Sequence, residues 1–188
     1  KYKAEFIQEN LSIQNNLIHS AYLSGVKNLI FLGSSCVYPR NCRQPIKEKY
    51  LLTGPLEPTN APYAIAKIAG VKLCESYWRQ YGAVFISAMP TNLYGIGDNF
   101  DPETSHVLPA LLRKCHEAKV AGQKTVTLWG TGSPKREFLF ADDLADACVY
   151  LMERYGPEEL GSHVNIGSGQ EVSIKELAQQ ICTVVGFD

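Results

Sequence analysis

The sequence predicts an α/β protein with a parallel sheet, because two apolar segments alternate with helical patterns. Leu29–Gly33 and Ala83–Met89 are almost continuously apolar, which is typical of strands buried on both faces of a sheet. Apolar residues recur with helical spacing at 4–24, 62–81 and 107–121. Strands that alternate with helices pack into a helix-covered sheet, so we expect the α/β class.

The predicted helices carry recognisable start and stop signals. Gly25 and Gly82 follow the first two helical patterns and suit the left-handed conformation that ends many helices. Thr59 and Asn60 can cap the second helix, and Pro62 falls in its first turn, where its missing N–H costs nothing. These signals fix the limits of the helices that flank the first predicted strand.

The C-terminal half continues the alternation with shorter elements. A capping box at Ser173–Glu176 predicts the start of the last helix. Gly130–Pro134 is a cluster of turn residues. The remaining patterns predict a short strand at Thr125–Trp129, an extended segment at 136–140, a helix from Asp142 or Asp143 to about Glu153, and a strand at 164–166.

Composition limits the function classes. A chain of 188 residues with 45% hydrophobic and 20% charged residues can bury one good core. The net charge of −1 gives no electrostatic basis for binding nucleic acid, and no apolar run approaches a membrane span. The six cysteines form no C-x-x-C pair, so we expect reduced thiols in a cytoplasmic protein and no metal site.

Three residues suggest a proton-transfer site. Tyr63 and Lys67 are four apart and therefore share one face of a helix. An ammonium beside a phenol favours the phenolate, so we expect Lys67 to lower the pKa of Tyr63. Ser34 directly follows the first predicted strand, and ligands bind at the carboxyl ends of strands in such sheets. Together the three side chains suit proton exchange with an alcohol or ketone.

The motifs that contain these residues resemble one family. The segments 33–39, 57–60, 62–67 and 89–95 are similar to motifs of the extended short-chain dehydrogenase/reductases, and most similar to members that epimerise and reduce a GDP-linked 4-keto-6-deoxy sugar. The resemblance implies a Rossmann-like, doubly wound parallel sheet with a smaller C-terminal substrate-binding part. Residues 1–95 would belong to the NADP-binding domain. Residues 96–188 would mostly bind substrate, with some strands and helices returning to the first domain.

The same resemblance implies ligands and site residues. NADP(H) is the expected cofactor, a GDP-sugar the expected substrate, and a homodimer formed by helices 4–24 and 62–81 the expected assembly. Lys114 departs from the pattern, which has Arg there, so a bidentate phosphate contact is in doubt. The expected cofactor contacts are Ser34, Tyr63, Lys67, Pro90, Asn92, Leu93 and His106, and the expected substrate contacts are Ser35, Lys114, Trp129 and Arg136.

Cys36 and His106 match the pair that the resemblance assigns to epimerisation. Inverting a carbon beside a ketone requires one group to remove a proton and another to return it on the opposite face. A thiolate can be the base if its pKa of about 8.5 is lowered, and a histidine with a pKa of about 6.5 can be the acid. Taken singly, Cys36 also fits a buried thiol and His106 a surface or capping residue.

One expected feature is absent from the sequence. The dinucleotide fingerprint normally opens the first βα turn, but Gly95-Ile96-Gly97 follows a late strand and has Phe100 where a third Gly would stand. We therefore expect a fragment that lacks the N-terminal Gly-rich βαβ unit. Two alternatives stay open: another nucleotide-sugar epimerase or dehydratase that uses bound NAD, and a non-catalytic binding or assembly fragment.

Overall fold

The computed structural model describes residues 2–187 and divides into two compact units. The first unit contains the residues up to Thr91 together with Leu144–Ile166, and the second contains Asn92–Asp143 and the residues from Gly167 onward. In chain order the elements are α1 (Lys3–Leu23), β1 (Asn28–Leu32), α2 (Ala61–Tyr81), β2 (Val84–Pro90), β3 (Asn92–Tyr94), α3 (Val107–Val120), β4 (Lys135–Phe140), α4 (Ala141–Arg154), α5 (Pro157–Leu160), β5 (Val164–Ile166), β6 (Glu171–Ser173) and α6 (Ile174–Val185).

The first unit is built on the predicted parallel sheet. Its strand order is β1-β2-β5, and both pairings are parallel. The last six residues of β2 are buried, as the continuous apolar run predicts. The sequence therefore located both long strands to within about two residues, and the α/β class is confirmed.

The helices α1 and α2 pack together beside this sheet. Ile18 of α1 and Val71 of α2 are fully buried, in one core with Phe31 and Phe85 of the strands. A Cβ at Gly70 would collide with the ring of Phe31, so glycine allows α2 to lie close to β1. This close packing fixes the start of α2 relative to the end of β1.

The second unit has a smaller mixed sheet and its own core. β3 pairs in parallel with β4, and β4 pairs antiparallel with β6. The predicted capping box is confirmed, since the Ser173 hydroxyl accepts from the Glu176 amide at 3.1 Å and the Glu176 carboxylate accepts from the Ser173 amide at 2.8 Å. The helices α3 and α6 enclose the core residues Leu111, Cys115, Leu177, Ala178 and Ile181.

Four local features differ from the sequence prediction. The strand predicted at Thr125–Trp129 is wrong, because this segment is irregular and Thr125, Thr127 and Trp129 are exposed. Alternation of apolar and polar residues favours a strand only where a neighbouring strand supplies hydrogen bonds. The sequence patterns did not predict the three-residue strands β3 and β6 or the four-residue helix α5. No helix among residues 2–187 is long and apolar enough to cross a bilayer.

Candidate active site

A turn at the carboxyl end of β1 places Ser34 beside Cys36. The Gly33 amide donates to the Ala88 carbonyl at 2.8 Å, and a Cβ at Gly33 would collide with the Met89 side chain. Ser34 has extended backbone and its hydroxyl accepts from the Cys36 amide at 3.4 Å, which caps a 3-10 turn at Ser35–Val37. The turn leaves Cys36 half-buried, two residues after a rigid strand end.

The first turns of α2 bring Tyr63 and Lys67 to the same place. Tyr63 and the Ser34 hydroxyl are hydrogen-bonded. The Lys67 ammonium donates to the Leu32 carbonyl at 2.8 Å and lies 5.6 Å from the centroid of the Tyr63 ring. The structure thus brings together the three predicted proton-transfer residues, with Cys36 as a fourth member.

The predicted effect of Lys67 on Tyr63 is wrong for this chain. Burial raises the pKa of Tyr63, the charge of Cys36 raises it further, and only the hydrogen bond with Ser34 opposes the shift. Burial also lowers the pKa of Lys67. The ammonium is bonded to a strand carbonyl and lies over ring faces, so its charge does not offset the desolvation of the phenol. Tyr63 is therefore a protonated donor near neutral pH.

Cys36 is likewise harder to ionise than the sequence analysis expected. Burial raises the pKa of its thiol, while hydrogen bonds with Ser34 and Asn60 and the charge of Lys67 act in the opposite direction. Asn60 occupies the N-cap position of α2 but makes no capping bond with its side chain. The sequence analysis assigned Asn60 to capping and so missed its contact with the thiol.

A second contact that the sequence did not reveal comes from α1. The Phe6 ring packs against the Tyr63 ring with their centroids 5.6 Å apart, although Phe6 is 49% exposed. Periodicity assigned Phe6 only to an apolar helix face. Its position against Tyr63 depends on the packing of α1 on α2, two helices separated by 37 residues of sequence.

The carboxyl end of β2 carries further predicted residues. Pro90 is buried at the last position of β2, opposite Ile166. The Thr91 hydroxyl that follows is buried without a partner among residues 2–187. In the second unit the Asn92 side chain donates to the Glu137 carbonyl at 2.9 Å, and Leu93 pairs with Leu139. Thr91 is a polar group that sequence reasoning missed.

The second unit contains a cavity of about 500 Å³ at the start of α3. Lys114 and Trp129 line it, and the Lys114 ammonium lies 5.1 Å from the centroid of the Trp129 ring while donating to the Thr127 carbonyl at 2.9 Å. The buried Ser105 hydroxyl also lines the cavity and has no partner in the described part of the chain. The volume suits a medium-sized organic ligand.

Three predicted residues remain to be described. His106 is exposed at the N-cap position of α3 and makes no capping bond. The Arg136 guanidinium is exposed and donates to the Lys135 carbonyl at 2.7 Å. Ser35 is half-buried at the start of the 3-10 turn. No cluster of three or more His, Cys, Asp or Glu suited to a metal occurs within residues 2–187.

Comparison with known proteins identifies the family. The model described as the NAD dependent epimerase/dehydratase family matches residues 1–167. The chain belongs to this family. This epimerase/dehydratase chain is 64% identical over 187 residues to GDP-L-fucose synthase 1 of Arabidopsis thaliana, a match that covers 100% of the chain and 57% of that relative. The chain thus spans little more than half the length of this curated relative.

Solved structures of family members share the fold. A GDP-D-glycero-L-gluco-heptose synthase of Campylobacter jejuni, determined with NADPH present, superposes with a TM-score of 0.90 at 41% identity, covering 100% of the chain and 65% of that structure. A GDP-L-fucose synthetase of Naegleria fowleri bound to NADP gives 0.88 at 34% identity, covering 100% and 59%. The predicted Rossmann-like α/β fold is confirmed, as is the predicted resemblance.

Proposed function

We propose that this epimerase/dehydratase family member is part of an NADPH-dependent enzyme that converts GDP-4-keto-6-deoxy-D-mannose to GDP-L-fucose by 3,5-epimerisation and 4-reduction. The observation that carries the proposal is the cluster of Ser34, Cys36, Tyr63 and Lys67 at the end of β1. In this cluster the Cys36 thiol is hydrogen-bonded with Ser34 and interacts electrostatically with Lys67 and Tyr63, which are the groups suited to ketone reduction. The identity to GDP-L-fucose synthase 1 supports the same substrate class.

Reduction of the C4 ketone uses the hydroxyl groups of the cluster. Ser34 donates a hydrogen bond to the carbonyl oxygen and orients it. Tyr63 gives its proton to that oxygen as the alcohol forms, and the raised pKa of the phenol keeps this proton in place beforehand. Lys67 is held beside the Tyr63 ring by its bond to the Leu32 carbonyl, with its ammonium 5.6 Å from the ring centroid.

Epimerisation at C3 and C5 uses a base and an acid. Cys36 removes the proton on the carbon next to the ketone once its thiol has ionised. The hydrogen bonds from Ser34 and Asn60 and the charge of Lys67 stabilise the thiolate that this step needs. We assign the return of the proton to His106, which is exposed at the start of α3.

The residues present fit a nicotinamide cofactor at the edge of the parallel sheet. The Thr91 hydroxyl is buried without a partner in the described chain, directly after β2, so a polar group of a ligand would satisfy it. Ser34, Tyr63, Lys67 and Pro90 would line the same edge. In the second unit, Asn92, Leu93 and His106 remain predicted cofactor contacts. NADPH, when bound, supplies the hydride for C4.

The second unit would hold the GDP group. Trp129 is 86% exposed and can cover the flat face of the base. Lys114 offers a single positive charge to the diphosphate, and Arg136 offers a planar guanidinium that is otherwise bonded only to a neighbouring carbonyl. Ser35, at the start of the turn of Cys36, would contact the sugar. Residues 1–95 would then mainly serve the cofactor and 96–188 mainly the substrate.

The assembly and location follow from exposed surfaces and thiols. Phe6, Ile13 and Leu17 of α1 and Ile65 of α2 are each about half exposed or more, which suits a homodimer interface between these two helices and those of a second copy. Sedimentation of the full-length protein as a monomer at micromolar concentration would contradict the dimer. All six cysteines are free, which fits the reducing cytoplasm.

The test is product analysis with the full-length protein. GDP-4-keto-6-deoxy-D-mannose and NADPH should yield GDP-L-fucose, with deuterium from D₂O at C3 and C5. A GDP-4-keto-heptose is the second substrate to try, because the heptose synthase of Campylobacter jejuni is 41% identical to this chain. If the protein prefers the GDP-4-keto-heptose, the assigned substrate changes while the assigned roles of the residues stay. If it turns over neither GDP-sugar, the proposal is refuted.

A further inference from the structure

We propose that Tyr38 and Asn165 are positioning residues that hold the turn of Cys36, so that their hydrogen bond supports epimerisation and leaves reduction almost unaffected. The inference rests on the proposed function for the identity of the two steps. The contact itself is a feature of the first unit alone. The Tyr38 hydroxyl donates to the Asn165 side-chain oxygen at 2.5 Å across 127 residues of sequence.

Tyr38 and its neighbour anchor the outgoing end of the turn. Val37 is completely buried and Tyr38 is 4% exposed, and both belong to the core that contains Phe31 and Met89. Burial raises the pKa of Tyr38, and the nearby Glu48 carboxylate raises it further. The phenol therefore keeps its proton and remains a hydrogen-bond donor across the pH range in which an enzyme works.

Asn165 is itself held by three contacts. Its side-chain nitrogen donates to the Ile46 carbonyl at 3.2 Å, and its backbone amide donates to the Glu48 carboxylate at 3.0 Å. It also lies in β5, opposite Met89 of β2. The acceptor for Tyr38 is thus fixed to the parallel sheet and to the loop that follows the turn, so it cannot move to compensate for a displaced ring.

Different hydrogen bonds therefore hold the two ends of the turn at Ser35–Val37, which contains Cys36. Ser34 caps its start, and Tyr38 secures its end through Asn165. Two of the groups that serve reduction, Tyr63 and Lys67, lie on α2, and Lys67 is bonded to the Leu32 carbonyl. The third, Ser34, lies at the opposite end of the turn from Tyr38, just after β1. Loss of the Tyr38 hydroxyl should therefore displace the Cys36 thiol more than it displaces the proton donor of the reduction.

The first experiment separates the two steps in Tyr38→Phe. Deuterium incorporation at C3 and C5 in D₂O should slow about 10- to 100-fold, because misplacement by about 1 Å can cost that much. Hydride transfer is followed in single turnovers with GDP-L-fucose and NADP⁺, which requires no epimerisation, and should stay within about twofold of the parent. Equal losses in both reactions would show general structural damage and overturn the proposal, as would no loss in either.

Matched variants test whether the hydrogen bond is the cause. Tyr50 packs against the same core, and no hydrogen bond of its hydroxyl occurs in the described chain, so Tyr50→Phe should change neither reaction. Asn165→Leu removes the acceptor and should slow deuterium incorporation as Tyr38→Phe does. Asn165→Leu also removes the bond to the Ile46 carbonyl, so it can be the slower of the two. The double variant should be no slower than the slower single variant, since both substitutions remove the same bond from Tyr38 to Asn165. Additive losses would contradict a shared hydrogen bond.

A further readout is independent of the proposed substrate. Alkylation of Cys36 by iodoacetamide, followed by peptide mass spectrometry, reports the position and ionisation of its thiol. The rate should change at least about threefold in Tyr38→Phe and Asn165→Leu and remain parental in Tyr50→Phe. An unchanged rate in both variants would overturn the proposal. If the parent turns over no GDP-sugar, the proposed function fails while this measurement still decides the role of Tyr38.

Discussion

The candidate functional residues of the two units differ in how far they are exposed to solvent. In the first unit, Cys36, Tyr63 and Lys67 are half-buried beside rigid strand or helix ends, and burial is the largest cause of the pKa shift in each. In the second unit, Trp129 is 86% exposed, and the Arg136 guanidinium is exposed and donates to the carbonyl of its neighbour Lys135. Groups that exchange protons need surroundings that set their pKa, whereas groups that bind a ligand must remain accessible to it.

This contrast predicts different kinetic consequences in the two units. Substitutions in the first unit should change the rates of individual chemical steps and their dependence on pH. Substitutions of Lys114, Trp129 or Arg136 in the second unit should change the affinity for the GDP-sugar while the rate at saturation changes little. His106, the proposed acid, is the exception in that unit and should affect a chemical step. The following substitutions in the full-length protein test whether chemical rates and ligand affinity depend on different units.

The largest effect is expected for Tyr63→Phe. Removing a positioned proton donor typically lowers a rate about 10²- to 10⁴-fold, so NADPH consumption should fall by that factor. The ring and its contact with Phe6 are retained, so the thermal unfolding temperature should stay close to the parental value. Deuterium incorporation at C3 and C5 serves as the internal control and should largely persist. NADPH consumption at the parental rate would show that Tyr63 is not the acid.

A loss of about 10²-fold or more is expected for deuterium incorporation in Cys36→Ser. A serine hydroxyl has nearly the size of the thiol but is far too weak an acid to supply a base. Reduction by the remaining cluster need not stop, so a sugar of the wrong configuration can be released. Cys148→Ser is the matched control, because Cys148 is also half-buried and its pKa is also raised by burial. Parental deuterium exchange in Cys36→Ser would falsify the assignment of the base.

A third, smaller effect is expected for Trp129→Ala in the second unit. Stacking of a base on an aromatic ring is worth about 1–3 kcal/mol, so the Kd of the GDP-sugar should rise about 5- to 100-fold. The side chain is so exposed that the unfolding temperature should not change. Val120→Ala removes another exposed apolar group, 75% accessible at the end of α3, and should leave the affinity parental. A large fall in kcat at parental affinity would break the proposed division between the units.

The smallest effect concerns the pH profile of epimerisation. Burial raises the pKa of Cys36, and only the thiolate can act as the base, so deuterium incorporation should keep rising with pH through the ordinary thiol range near 8.5. Asn60 favours the thiolate, so Asn60→Ala should move the profile to still higher pH and lower the rate a few-fold at neutral pH. A profile that levels off below pH 7 would contradict the raised pKa.

Much of the fold could be predicted because the residues that start and end its helices, and the apolar runs that form its strands, lie in short segments of sequence. Helix α2 begins next to a proline and ends at Gly82 in the left-handed conformation, both of which the sequence displays. The strands β1 and β2 are apolar runs that need no knowledge of their partners. The segment Thr125–Trp129 shows the limit of such signals, because its alternation matches a strand but no strand of the described chain pairs with it.

The sequence by itself determined which residue types are present for the chemistry and where two of the strand ends lie. It therefore predicted Ser34, Cys36, Tyr63 and Lys67 as candidates and the α/β class. Only the tertiary structure decided their environment: the raised pKa of Tyr63, the contact of Asn60 with the thiol, and the bond from Tyr38 to Asn165. The physical reason is that desolvation and hydrogen bonding depend on neighbours brought from distant parts of the chain, which spacing along one helix or strand does not encode.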